Sequence, residues 1–366
     1  MRVGKISEAV LNRSVLKEIR HSGSDLTAGP YEGGDAAILR TGESTVISSS
    51  VSLDLDNADP VIRTILAIHA AINNLAAAGA AGRAVILNLI LTEDTGEAVL
   101  KKILRAAEQT AENLGVSIAG GHTTVSRSGR SEIIAVTGIG VPLDSQICSA
   151  FSCVSSGNRD GSDAHTKADL SAAKERCSEK YCNEKRSFDI VMTKSAGIAA
   201  AMLLASEQEK ILSGRFTGDI IETAKKFRED LSVVPEAEIA GADRETVRMH
   251  DISEGGVFGA LWELAEAVGA GLEINLREIP IRQESVEICE FFNLNPYQIY
   301  SEGSLLVLTG RGDALTEELV NAGIPAKVIG RTTSGRDRIL HNQGEIRYLD
   351  KPQQDEIYKL WRGKDC

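Results

Sequence analysis

The chain has 366 residues, 42% of them hydrophobic and 25% charged, with a formal net charge of −12. So acidic a balance argues against nucleic acid or an anionic membrane surface as the main partner, yet it admits nucleotides that travel with a divalent cation. No window of about eighteen uninterrupted apolar residues offers a membrane span, residues 1–22 lack a signal-peptide core, and six cysteines in so long a chain do not make a secreted disulfide framework. These bounds point to a cytoplasmic enzyme or binding protein of two domains, or one large one.

Residues 6–19 carry Val10, Leu11, Val15, Leu16 and Ile19 at helical spacing and predict a first helix. A glycine-rich turn, Ala28-Gly29-Pro30-Tyr31-Glu32-Gly33-Gly34-Asp35, then ends in an acid. Residues 36–39 and 45–52 read as strands. Asp59-Pro60 is an N-cap followed by a first-turn proline, and it opens a helix that runs through His69 to about Gly79. Residues 85–91 predict a buried strand, and Asp94 with Glu97 resembles a capping box for a helix ending near Leu114-Gly115. Residues 116–119 and 132–141 predict two further strands, separated by Gly120-Gly121-His122-Thr123-Thr124.

Residues 149–187 are rich in Ser, Lys, Asp and Glu without a sustained apolar face, and read as an inserted linker or mobile loop. Regular structure resumes with a strand over 188–193, the Lys194-Ser195-Ala196-Gly197 turn and an apolar helix over 198–205. Helices near 219–229 and 236–242 follow. Beyond residue 270 come a strand over 272–276, a helix over 282–292, a strand over 304–309, a helix over 313–322 and a strand over 326–329. The tail from Gly344 is polar, with Tyr358 and Trp361 as its large anchors.

The most informative stretch is Arg248-Met249-His250-Asp251-Ile252-Ser253-Glu254-Gly255-Gly256. A strand over 246–249 leads into it. Val257, Ala260, Leu261, Leu264, Ala265 and Val268 then recur at helical spacing before Gly269. Such a strand-to-helix turn suits metal-bound phosphate, because free helix N–H groups favour anions while Asp251 and Glu254 can hold a cation. The alternative is a capped helix with Ser253 as N-cap.

Four motifs stand in order along the chain: Gly33-Gly34-Asp35-Ala36-Ala37, Gly120-Gly121-His122-Thr123, His250 to Gly256, and Tyr300-Ser301-Glu302-Gly303-Ser304-Leu305. In this it resembles the aminoimidazole-ribonucleotide (AIR) synthase-like proteins, among them the HypE-type hydrogenase-maturation dehydratases, thiamine-monophosphate kinase and selenophosphate synthetase. The openings Val3-Gly4-Lys5-Ile6 and Leu16-Lys17-Glu18-Ile19 look most like the hydrogenase-maturation type. The resemblance implies a two-domain α/β, PurM-like fold. An N-terminal ATP-binding and dimerisation domain (1–145), whose mixed sheet forms a shared barrel in a homodimer, would be followed by a polar insertion (146–187), a C-terminal α/β domain (188–345) and a tail (346–366).

It further implies ATP in a cleft, with phosphates at Gly33, Gly34, Gly120, Gly121 and Thr123, and magnesium on Asp35 and Asp251. ATP would phosphorylate an amide or carbonyl oxygen, Glu254 serving as ligand or acid/base. The family's remaining acids are replaced here by Ser49-Ser50 and Asn73-Asn74. Ser50 and Asn74 offer only neutral oxygens, which leaves a catalytically degenerate binding or regulatory protein as the rival, or compensation by Asp54 or Asp56. His122 is a candidate proton relay, Lys194 a candidate phosphate ligand and Arg331 a weaker one; an ordinary loop histidine and a solvated lysine are the alternatives. Cys148, Cys153, Cys177 and Cys182 form C-x4-C twice and could hold zinc or an iron–sulfur cluster, or be unpaired loop thiols. Cys366, the last residue, stands where the HypE-type dehydratases carry the thiol that receives a carbamoyl group, and so implies a carbamoyl-bearing substrate and a maturation partner protein. The ending Gly-Lys-Asp-Cys shares only that cysteine with the dehydratases' Pro-Arg-Ile-Cys, and Ser-Glu-Gly-Gly replaces their Thr-Arg-Gly-Gly.

Overall fold

The computed structural model describes residues 3–19, 21, 23–31, 33–53, 55, 58–127, 129, 131–143 and 187–360. The first helix is α1 (Glu8–Val10), continued as a π-helical turn over Leu11–Leu16. It is followed by β1 (Leu26–Ala28), β2 (Ala37–Thr41), β3 (Ser44–Ser52), α2 (Pro60–Ala77), β4 (Ala80–Leu91), α3 (Glu97–Asn113), β5 (Ser117–Val125) and β6 (Ile133–Pro142). These strands form a six-stranded sheet in the order β1-β2-β3-β6-β4-β5, antiparallel except between β4 and β5.

Asp59 Oδ1 accepts the Val61 N–H at 2.7 Å, so α2 starts at the proline as its sequence predicts. This helix is apolar nearly all round and buried along almost its whole length, the mark of a core helix. It is the one described helix long and apolar enough to cross a membrane, and it lies between the two halves, against β3, β4, β6 and α3 on one side.

Two local expectations fail for identifiable reasons. The Asp94/Glu97 capping box does not form. Thr95 Oγ1 instead bonds Thr92 Oγ1 at 2.9 Å and donates to Glu132 at 2.8 Å, and α3 has Gly96 rather than Asp94 as its N-cap. Gly120 to Thr124 is strand rather than turn: β5 runs straight through, with Gly121 opposite Leu87 and His122 opposite Asn88. A side chain on Gly121 would sit 1.9 Å from the Leu87 carbonyl oxygen, so the glycine serves close backbone approach in the sheet.

The second half contains β7 (Asp189–Thr193), α4 (Ile198–Glu207), α5 (Glu209–Leu212), α6 (Gly218–Lys226), α7 (Val234–Ala242), β8 (Thr246–Ile252), α8 (Gly256–Val268), β9 (Gly271–Asn275), α9 (Gln283–Phe291), β10 (Ser304–Thr309), α10 (Gly312–Asn321), β11 (Ala326–Thr333), β12 (Arg338–Asn342) and β13 (Glu345–Tyr348). Its seven strands lie in the order β13-β12-β9-β11-β7-β10-β8, with β12 and β9 the parallel pair. Core residues of α8 cover one face, and those of α7 and α10 with Ala76 and Ala77 of α2 cover the other. The polar tail packs more than its composition predicts. Its Glu356–Leu360 turn buries Ile357 and Tyr358 in the core that joins α2, α4 and α9.

Candidate nucleotide and metal site

The site grows from the end of β8. Arg248, Met249, His250, Asp251 and Ile252 are all buried, because β8 is an edge strand covered on both faces. The chain then turns through Ser253, Glu254 and Gly255 into α8. Gly255, not Ser253, is the N-cap. Its N–H donates at 2.6 Å to Asp355 Oδ2, while Asp355 Oδ1 accepts the Ile357 N–H at 2.9 Å. A carboxylate from the tail thus satisfies the helix start that a serine was expected to cap. Burial pushes Asp355 up to about 7 despite these two bonds.

Asp35, at the end of the glycine-rich turn, meets His250 and Asp251 here, with one ligand atom of each within 4.8 Å of the others. His250 Nδ1 lies 2.9 Å from Asp35 Oδ2, and its Nε2 lies 3.1 Å from Glu263 Oε2 on α8. Burial alone would lower the imidazole, but Asp35 and Glu263 outweigh it and raise it to about 10, so it carries a proton at neutral pH. Asp251 is pushed up to about 7 by burial and then by the charge of Asp35. With its amide oriented to satisfy both neighbours, Asn74 donates to the two Asp251 oxygens at 3.0 and 3.1 Å and accepts from Ser49 Oγ at 2.9 Å. Glu302 lies beside this group, fully buried. It accepts from Asn73 Nδ2 at 2.5 Å and Tyr300 OH at 3.2 Å, and burial with the nearby Asp251 drives it well above the usual carboxylate range.

The corner preceding Asp35 is fixed from the second half of the chain. Arg248 donates to the Gly33 carbonyl at 2.7 Å and to the Tyr31 hydroxyl at 3.0 Å. Gly33 has φ +74, and a side chain there would meet the Glu263 carbonyl at 2.7 Å, so only glycine fits. A cavity of about 460 Å³ opens in front of this corner, floored by the start of α8 and walled by the N-terminal segment and residues 352–355. Gly33, Gly34, Asp35 and Glu254 line it.

Asp35 and Asp251 fit magnesium. They are hard oxygen donors that meet at one point, and the charge repulsion that lifts Asp251 is what a divalent cation would relieve. His250 is the third member of this cluster, but both of its ring nitrogens face carboxylates.

The comparisons match this architecture. The AIR synthase related protein N-terminal domain matches residues 33–142 and the corresponding C-terminal domain matches residues 189–341, well over half of the chain together. The chain belongs to the AIR synthase related family. Carbamoyl dehydratase HypE of Rhodobacter capsulatus is 25% identical over 81% of this chain and 78% of its own. A putative hydrogenase expression/formation protein of Methanocaldococcus jannaschii is 24% identical over 98% and 97%. Among solved structures, HypE in complex with ATP aligns with TM-score 0.63 at 19% identity over 97% of both chains. A HypE–HypF complex aligns with TM-score 0.64 at 19% identity over 88% and 94%, and AaThiL complexed with AMPPCP and TMP with TM-score 0.65 at 15% over 97% and 98%. At these identities the structural likenesses establish the shared fold.

Within this family frame, several residues singled out in the sequence lie away from the cavity. Gly120, Gly121, His122 and Thr123 are on the edge strand β5, four strands from β2, or about 19 Å at ordinary strand spacing. Lys194 is turned inward: its amine pairs with the buried Glu236 at 2.8 Å and donates to the Asp230 and Ser232 carbonyls, which takes it away from any phosphate. Arg331 lies on β11 beside Glu273 at 3.7 Å. Ser50 meets Thr137 at 3.0 Å across the sheet, and Asn74 stands between Ser49 and Asp251 with its amide beside both Asp251 oxygens. Asp54, Asp56, Cys148, Cys153, Cys177, Cys182 and Cys366 lie outside the described residues. Sequence reasoning missed Glu302 as a site residue, although its motif was visible, and missed Asp355, which carries no local signal.

Proposed function

We propose that this chain is an ATP-dependent carbamoyl dehydratase of the HypE type, acting as a homodimer with a maturation partner protein. The observation that carries the proposal is that Asp35 and the Gly33-Gly34 corner line one cavity of nucleotide size, with Asp251 meeting Asp35 from the buried side. It is joined by full-length similarity to a hydrogenase expression/formation protein. Cavity and corner would seat ATP, with Asp35 and Asp251 holding magnesium. Bound there, magnesium would neutralise phosphate charge and polarise the transferring phosphoryl group.

The protein's own work is then positional. Arg248 holds the glycine corner, Asn74 aims Asp251, and Glu254 lines the cavity as the acid that would serve as ligand or acid/base. The oxygen of an S-carbamoyl group takes the γ-phosphoryl, ADP leaves, and loss of phosphate with both amide protons produces a thiocyanate. Cys366 would carry that group, because the tail is anchored at the cavity through Asp355 and six further residues extend at most about 20 Å beyond Leu360. Pairing of the β5 edges of two copies would bring Gly120, Gly121, His122 and Thr123 of one subunit toward the phosphates of the other, which favours the homodimer and keeps His122 as a proton relay.

Cyanate, which carbamoylates thiols, provides the test. After such treatment, incubation with ATP and magnesium is expected to remove the mass of one water from the C-terminal peptide. Cys366→Ser should abolish that loss while leaving ATP binding intact. Retention of the carbamoyl mass in the wild-type chain, with ATP bound, would instead support the second reading: a degenerate nucleotide-binding or regulatory dimer, favoured by the uncharged Ser50 and Asn74. Thiamine-phosphate chemistry shares the fold, but no residue of the cavity selects that acceptor.

A further inference from the structure

Residues 3–8 cross the front of the cavity as a strap. Lys5 N donates to Glu254 Oε1 at 2.6 Å, Glu8 accepts from Trp262 Nε1 at 3.0 Å and pairs with Lys351 at 3.0 Å, and the Val3 carbonyl accepts from Gln354 at 2.8 Å. The strap therefore binds both the start of α8 and the tail. Among the described residues lining the cavity, Lys5 is the one base, set among Glu8, Asp35, Glu254, Glu263 and Asp355. Its amine pairs with Glu263 while its side chain remains 47% exposed.

We propose that Lys5 is a phosphate-binding residue of the nucleotide site, delivered by the N-terminal strap. This rests on the nucleotide reading given above. The Lys5 amine is the exposed partner of its pair with Glu263, so it can pass from one carboxylate to a polyphosphate that carries more charge. The four-carbon stem lets the amine move without moving the strap, whose backbone is held separately by Glu254 and Gln354. Glu263 keeps its bond to His250 when Lys5 leaves. The cavity also offers both kinds of surface a nucleotide needs: Gly33, Gly34 and Asp35 line it with backbone and an acid, while Ile6, Val10 and Leu11 supply apolar lining for a base. Lys5 thereby takes the phosphate-binding role expected of Lys194.

The experiment measures the affinity of the full chain for ATP and ADP with magnesium, and for adenosine, in wild type, Lys5→Met and Lys5→Arg. Loss of one charge-assisted contact predicts that Lys5→Met weakens ATP by about tenfold to a hundredfold. The loss should be smaller for ADP and absent for adenosine, and Lys5→Arg should restore most of the ATP affinity. Unchanged ATP affinity in Lys5→Met overturns the assignment. So does an equal loss for ATP and adenosine, which would make the lysine a fastener of the strap alone. A wild-type chain that binds no magnesium-ATP removes the nucleotide reading and this assignment with it, an outcome distinct from a wild type that binds while Lys5→Met binds equally well.

Discussion

His250 shows how a single side chain sets the electrostatics of the site. Buried between Asp35 and Glu263, it is raised from an ordinary 6.5 to about 10. A folded-state value above the unfolded one means that the proton stabilises the fold fully below pH 6.5, and that this contribution is lost as pH rises through about 10. The thermal midpoint of the metal-free protein is therefore expected to fall across that window. His250→Gln should start lower at pH 6.5 and fall less. A wild-type midpoint that is level from pH 6.5 to 10 would contradict the buried, protonated ring. Individual roles were only partly legible from sequence. Asp35 and Asp251 follow from their glycine turns, but the direction of the Asn74 amide depends on Ser49 and Asp251, neither of which adjoins it in the chain.

At the scale of elements, the hydrophobic pattern located most of the helices and strands but not β1, α5, β12 or β13, and local turn chemistry misplaced some of the ends. Asp59-Pro60 capped α2 as expected because both signals lie in the first turn. The α8 start did not follow Ser253, because a more favourable acceptor, Asp355, arrives from about a hundred residues away. Gly120-Gly121 looked like a turn because two glycines are the commonest local mark of one. Only the register with β4 shows that Gly121 is there to admit the Leu87 carbonyl. Gly121→Ala should therefore destabilise the chain by about 1–3 kcal/mol, since overpacking forces the β4–β5 pair apart. Urea denaturation reads this directly, and an unchanged midpoint would show that β5 has room to move.

At the scale of the whole molecule, two mixed sheets share α2 as a common core helix, and the candidate site groups lie where the halves meet. Asp35 comes from the first half, Asp251 and Glu254 from the second, and Lys5 and Asp355 from the two ends of the chain. The family fold was legible because its four motifs keep their order. The ends were not, since a strap and a tail are positioned by contacts with folded surfaces rather than by their own periodicity. A cation held between Asp35 and Asp251 against nucleotide phosphate is the centre of the proposed mechanism. Calorimetric titration with ATP, with magnesium present and with magnesium chelated, tests it on wild type and Asp251→Asn. The wild type is expected to lose affinity by about tenfold or more on chelation, and the variant to bind weakly and equally in both conditions. Equal wild-type affinity with and without magnesium, or a variant that responds to magnesium as the wild type does, would contradict it.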